Sequence, residues 1–180
     1  MSVMTDSDAR RLRGVAHPVR IRMLALLRRD GPATATTLAR QLGLNTGATS
    51  YHLRQLAEHG FIVDDPDRGV GRERWWRAAA PDTPPPDSGA LADGTAADFM
   101  RALGQVWTDT MMRAIDATAA LPDEWRAAQD LSDYQLRLRP ETARRLAREL
   151  HALVRAQPSE PDGDPVILQF QLVRDPEPVR

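Results

Sequence analysis

Residues 37–61 read TLARQLGLNTGATSYHLRQLAEHGF, and this stretch is the strongest indication of how the N-terminal part of the chain folds. Leucines recur at helical spacing before and after Gly43, the position where the chain has to turn sharply. The pattern predicts two short helices joined by a tight turn, the second of them over residues 46–59. This arrangement is typical of domains that read double-stranded DNA.

The second of these helices should have one apolar and one polar face. With Thr49, Leu53 and Leu56 turned inward, its other side chains face outward or lie on the flanks. Hydroxyl, imidazole, guanidinium and amide groups hydrogen-bond to base edges and phosphates. The candidate DNA-binding residues on this helix are Thr46, Ser50, Tyr51, His52, Arg54 and Gln55. For His52 a second interpretation stays open, as a hydrogen-bonded residue at the packing edge.

Segments on both sides complete a small domain. Residues 7–16 and 19–29 have apolar positions at helical spacing, and Pro18 suits the first turn of the second segment. Phe61-Ile62-Val63 and the alternating residues 72–78 predict two strands around a turn rich in Asp. Two helices, a helix-turn-helix and an antiparallel hairpin predict a winged helix-turn-helix over residues 1–80.

The hairpin, or wing, carries three candidate DNA-binding arginines. Arg72 and Arg74 are two residues apart on a strand and therefore share a face, and Arg68 lies at the tip. A hairpin beside a duplex would place them against phosphates or in the minor groove. At least one of Trp75 and Trp76 is expected to pack on the core or on a partner chain.

Composition separates this domain from the rest of the chain. Residues 81–94 contain four prolines and predict a linker. Residues 1–80 contain thirteen arginines and eight acidic residues, which gives a net charge of +5. Residues 81–180 contain eleven arginines and seventeen acidic residues, which gives a net charge of −6. A basic segment joined to an acidic one fits a first domain that faces phosphates.

Residues 95–180 are predicted to form a C-terminal dimerisation or effector region. A long helix should run from Thr95 to about Ala120, followed by a short helix and then a β-α-β pattern. Its strands are predicted over 134–139 and 166–173, around a helix that begins at Pro140. Two isolated strands are marginal in water, so we expect them to pair within the chain or across a dimer. The predicted class is α+β, mainly α.

The long helix has a broad apolar face with two interpretations. It would form a dimer seam or core, which we favour, or line a pocket for an apolar effector. A small-molecule or protein effector is left open. The candidate dimer or effector residues are Phe99, Met100, Leu103, Trp107, Met111 and Trp125.

Three motifs carry a resemblance to the ArsR-type family of bacterial winged-helix repressors. They are HPVRIRMLALL from His17, LARQLGLNTGATSYHLRQLAEHGFI from Leu38 and GRERWWR from Gly71. The resemblance implies a homodimer whose two recognition helices read the half-sites of an inverted repeat. It also implies that Ser50, Tyr51 and His52 face the groove and that Arg72 and Arg74 lie on the wing. The residues after the wing are similar to extensions on larger actinobacterial members.

Several classes of function are not expected. The chain has no cysteine, and its four histidines show no paired ligand spacing, so metal sensing is not expected. The acidic residues after Pro122 converge with no nucleophile or oxyanion site, so we expect neither an enzyme nor a cofactor. No apolar stretch approaches the roughly twenty residues that span a bilayer, which predicts a cytoplasmic protein without membrane contact.

These observations predict a homodimeric, sequence-specific transcriptional regulator of double-stranded DNA. A repressor is favoured because a small dimer blocks polymerase simply by occupying DNA. The alternative is a winged-helix module of the transcription machinery that docks a protein partner and has no operator of its own.

Overall fold

The computed structural model describes residues 6–68, 73–79, 94–158 and 160–175. The chain divides into two compact units, Met1–Thr118 and Ala119–Arg180, which are described separately below. The described part of the first unit contains five α-helices and three β-strands. The helices are α1 (Asp6–Val15), α2 (Pro18–Arg29), α3 (Ala35–Leu42), α4 (Thr46–Glu58) and α5 (Gly94–Ala117), and the strands are β1 (Ala33–Thr34), β2 (Ile62–Asp64) and β3 (Trp75–Ala78).

Local hydrogen bonds fix where α3 and α4 begin and how they are joined. The side chain of Thr34 accepts a hydrogen bond from the Thr37 amide at 3.2 Å, and that of Asn45 accepts one from the Ala48 amide at 2.8 Å. Both are N-caps that satisfy amides without a partner inside the helix. Gly43 ends α3 at φ +65°, a left-handed conformation that glycine adopts at little steric cost. The turn therefore lies where the sequence predicted it.

One hydrophobic core holds α2, α3, α4 and the sheet together. Its largest fully buried side chains are Met23, Leu38, Leu53, Leu56, Ile62 and Thr49. The hydroxyl of Thr49 donates to the Asn45 carbonyl at 3.0 Å, so this buried polar group is satisfied. Because α4 places Thr49, Leu53 and Leu56 in the core, the orientation of its opposite face is fixed.

The sheet is antiparallel, with β3 between β1 and β2. Trp76 pairs with Ala33 on one side and with Asp64 on the other, and its side chain is buried in the core. The two-residue strand β1 was not predicted, because it is too short to show a period. The α+β winged helix-turn-helix is confirmed.

Helix α5 packs against α1 and α2 within the first unit. Its Ala96, Ala102 and Val106 side chains are buried, and Arg22 of α2 forms an ion pair with Asp109 of α5. The sequence analysis assigned this helix to the C-terminal region, residues 95–180, and not to the N-terminal domain. The structure differs because α1 and α2 offer the apolar cover that α5 needs.

The second unit contains α6 (Asp123–Ala128) and α7 (Pro140–Arg155) among its described residues, preceded by a 3-10 turn at Thr118–Ala120. The strands predicted over 134–139 and 166–173 are wrong for the structure, in which neither segment belongs to a sheet. Alternation of apolar and polar residues gives a strand only where a neighbouring strand completes the hydrogen-bond ladder. Among the described helices, none combines the length and the hydropathy needed to cross a membrane.

Candidate nucleic-acid interface

The outer face of α4 presents most of the polar residues that the sequence singled out. Thr46, Tyr51 and Arg54 are exposed, with Tyr51 at 54%, whereas Ser50 and Gln55 are half-buried. The amino end of the helix also carries the positive end of its dipole, which favours contact with a phosphate. Hydroxyl, phenol and guanidinium groups thus lie together on a surface that the core keeps turned outward.

Two hydrogen bonds orient the side chains of Arg54 and Gln55 on α4. The Arg54 Nε donates to the Ser50 carbonyl at 3.2 Å, which orients the guanidinium along the helix. The Gln55 amide donates to the Glu58 carboxylate at 3.1 Å. Gln55 is therefore engaged with an acidic neighbour, and Arg54 is the better placed of the two for an anionic ligand.

His52 lies at the edge of this face and not at its centre. Its half-buried ring stands 4.6 Å from that of His17 and 5.4 Å from that of Tyr51, measured between centroids. Burial, followed by the charges of His17 and Arg20, lowers the pKa of His52. The ring therefore lies at a packing edge next to Tyr51, but its buried Nδ1 has no hydrogen-bond partner among the described residues, so the hydrogen bond of the second interpretation is not found.

His17 connects this edge to the start of α2. It is the N-cap residue, and its Nδ1 accepts a hydrogen bond from the Val19 amide at 3.2 Å. Burial and the nearby charge of Arg20 lower the pKa of His17, and burial also lowers the pKa of Arg20. Sequence reasoning missed this contact, although a polar residue directly before a proline at a helix start is a signal for a cap.

The wing arginines differ in how firmly they are held. The Arg74 Nε donates to Asp64 at 2.7 Å, and its guanidinium carbon lies 4.2 Å from the centroid of the Trp76 ring, yet the side chain is 58% exposed. Arg68 is 3.8 Å from Asp65 and also remains exposed. Arg72 lies outside the described residues. Arg74 is therefore a charge held in one orientation beside the core.

An open cleft of about 270 Å³ joins the wing to the helix-turn-helix. It is lined by Thr34, Ala35, Thr36, Ser50, Arg54, Glu73, Arg74 and Trp76. Arg54 from α4 and Arg74 from the wing line this cleft together with the first turn of α3, whose amides add partial positive charge. Thr36 and Glu73 were missed by the sequence reasoning, because only the tertiary fold brings them beside α4.

The candidate dimer or effector residues divide between the two units. Phe99 packs against the core, Leu103 and Trp107 are half-buried, and Met100 and Met111 are exposed on α5. In the second unit, Trp125 donates its indole N–H to Asp164 at 2.7 Å. No cluster of three or more potential metal-binding side chains occurs in the described ranges.

A family model described as a helix-turn-helix domain matches residues 15–64. The match extends from the end of α1 to the end of β2 and includes α3, the turn at Gly43 and α4. No curated protein matches the chain. The chain carries a helix-turn-helix domain of the kind found in DNA-binding regulators.

Proposed function

We propose that this protein is a sequence-specific transcriptional regulator in which α4 enters the major groove and the wing lies on the adjacent backbone or in the minor groove. The observation that carries the proposal is the cleft in which Arg54 and Arg74 meet beside Ser50. A major groove about 12 Å wide admits one helix side-on. A guanidinium beside it would then neutralise a flanking phosphate.

We further propose a homodimer of the ArsR type that reads an inverted repeat and acts as a repressor. Support comes from the matched helix-turn-helix domain and from the exposed apolar residues of α5, Met100 and Met111. A two-fold dimer would place two copies of α4 one helical turn of DNA apart, about 34 Å. The absence of cysteine from the whole sequence supports a signal other than a thiolate-bound metal.

The alternative, a winged helix that docks a protein partner, is less favoured. A docking surface held by apolar contacts does not require exposed arginines on both α4 and the wing. Arg54 and Arg74 line the same cleft, and the amino end of α3 opens beside them. Glu73 also lines the cleft and Asp64 pairs with Arg74, but both guanidinium groups remain exposed, where a polyanion such as DNA can reach them.

Selection of genomic fragments by the purified protein, followed by fluorescence anisotropy on the selected and on scrambled duplexes, tests the proposal. We expect tighter binding to the selected duplex and affinity that falls steeply with salt, at a logarithmic slope of about −0.9 per neutralised phosphate. Failure to enrich any fragment at low ionic strength would contradict the proposal. Salt-insensitive capture of a protein partner by the same face would support the docking alternative.

A further inference from the structure

The segment from Val166 to Val173 of the second unit is strongly apolar but poorly covered. Val166, Ile167, Leu168, Leu172 and Val173 are between 42% and 77% exposed. Exposed β-branched and leucine side chains in a row are characteristic of a strand that is completed by another chain. In the described part of the unit, this segment has no strand beside it.

The sequence of this segment reads nearly the same in both directions. Residues 167–173 are ILQFQLV, so that Gln169 and Gln171, and Leu168 and Leu172, are placed symmetrically about Phe170. Two copies related by a two-fold axis meet through the same patch, and adjacent strands related in this way are antiparallel. Centred on Phe170, such pairing puts leucine opposite leucine and glutamine opposite glutamine.

Cross-strand pairs of like polarity stabilise an antiparallel ladder, and opposed side-chain amides can hydrogen-bond to each other. Pairing with the other apolar segment of the same chain, 134–139, would make no use of this symmetry. Only pairing between two identical copies about a two-fold axis requires a sequence that is symmetric about its centre. The sequence symmetry about Phe170 therefore indicates that the strand beside this segment comes from a second copy of the chain.

Helix α7 is placed to cover one face of such a ladder. The ring of Phe170 contacts that of His151 on α7 edge-on, with centroids 4.8 Å apart. Further along the same helix, Leu153 and Val154 are exposed. A second strand beside residues 167–173 would extend the apolar surface onto which this helix packs.

We propose that residues 167–173 pair antiparallel with the same residues of a second copy, with the two-fold axis at Phe170. The inference rests on the homodimer of the proposed function and names a contact that holds it. It does not depend on the DNA contact. It also gives the second unit a defined role, as a dimerisation element built by strand pairing between copies.

Disulfide trapping tests the register directly, because the natural chain has no cysteine to interfere. Directly opposed residues in an antiparallel pair have Cβ atoms about 4.5–5.5 Å apart, close to disulfide distance, whereas diagonal neighbours are about 7–8 Å apart. Under mild oxidation of the full-length protein, Phe170→Cys should form a covalent dimer. Gln169→Cys alone should form little, but mixed with Gln171→Cys it should form the heterodimer.

Arg40→Cys, on the exposed surface of α3, is the control for accidental collisions. Light scattering on Leu168→Asp, with circular dichroism to verify folding, should show weaker dimerisation at equal concentration. A dimer by mass in which neither Phe170→Cys nor the mixture of Gln169→Cys and Gln171→Cys traps a covalent species would overturn this inference and leave the proposed homodimer intact. A monomeric protein would overturn both dimer proposals. The proposal of a DNA-binding regulator would still be tested by the separate DNA-binding measurements.

Discussion

The imidazole rings of His17 and His52 lie 4.6 Å apart, which joins the N-cap of α2 to the edge of the candidate recognition helix. Both rings are half-buried, and Arg20 adds positive charge beside them. The pKa of each histidine is lowered, mainly because burial disfavours the charged form. The amino end of α2 and the outer face of α4 therefore share one half-buried, proton-sensitive contact.

Stability should fall at acidic pH because of this contact. Below the ordinary histidine pKa of 6.5 the unfolded chain binds protons that the folded pair resists, so the free energy of unfolding decreases as the pH falls. Above that pH the contribution is constant. Urea denaturation at about pH 7.5 and about pH 5.5 should show the loss, and His52→Gln should reduce it. His151→Gln, in the second unit, serves as the control, and an equal pH dependence in all three proteins would contradict the assignment.

Arg74→Ala should weaken binding to every DNA sequence by a similar factor. A phosphate contact carries no base information, and its removal releases about one fewer counterion, so the logarithmic salt slope should become shallower by about 0.9. Anisotropy titrations over a salt series on selected and scrambled duplexes measure both quantities. Arg28→Ala, exposed on α2, is the matched control. A loss confined to the selected duplex would instead make Arg74 a base-reading residue.

Tyr51→Ala and Ser50→Ala should act on specificity. Removing a side chain that reads a base edge is expected to reduce the discrimination between the selected and the scrambled duplex by about 1–3 kcal/mol. Competition titrations with the two duplexes give this difference directly. Gln41→Ala changes an exposed residue of α3 and should have no effect. Unchanged discrimination in both α4 variants would remove that part of the helix from the base-reading surface.

A pair of glycines provides a test of the turn. Gly43→Ala should destabilise the first unit by about 1–2 kcal/mol, because φ is +65° and a left-handed conformation is strained for alanine. Gly104→Ala, inside α5 with open space where its Cβ would lie, should instead stabilise the protein by about 0.5–1 kcal/mol. Thermal and urea unfolding of the two variants compare the signs. The prediction is wrong if both changes have the same sign.

The dimer seam on α5 can be tested at Met111. This side chain is exposed in the single chain, and Met111→Glu would bury a charge if two copies of α5 pack there, which costs several kcal/mol. Analytical ultracentrifugation should then show a higher dissociation constant. Arg113→Glu on the same helix is the control, being exposed as well. An unchanged dissociation constant for Met111→Glu would place the seam elsewhere.

Much of the first unit was accessible from the sequence because its signals are local. Leu38, Leu53 and Leu56 follow the helical period, and Gly43 marks the turn. The structure shows that Thr34 caps α3 and that Asn45 caps α4. The two strands of the wing were also predicted, but β2 covers Ile62–Asp64 and not 61–63. The second strand begins only at Trp75, so the described residues Glu73 and Arg74 precede it and do not belong to it as predicted.

The candidate site was accessible only in part. The exposure of Thr46, Tyr51 and Arg54 follows from the apolar period of α4, since burial of one face turns the other outward. The contact of His52 with His17 could not be predicted from this period, because one residue lies in α4 and the other at the start of α2. The ion pair of Arg74 with Asp64 and its contact with the Trp76 ring likewise depend on the pairing of β2 with β3.

Local sequence was sufficient for the helix-turn-helix, the polar face of α4 and the position of the turn, because periodicity, caps and a glycine act over a few residues. The three-dimensional fold was needed to show that α5 packs on α1 and α2, that β1 joins the sheet, and that Arg54 and Arg74 share a cleft. It was also needed to show that residues 134–139 and 166–173 form no sheet within the described chain. Packing and strand pairing require a partner distant in sequence, and a local pattern indicates only that a partner is needed.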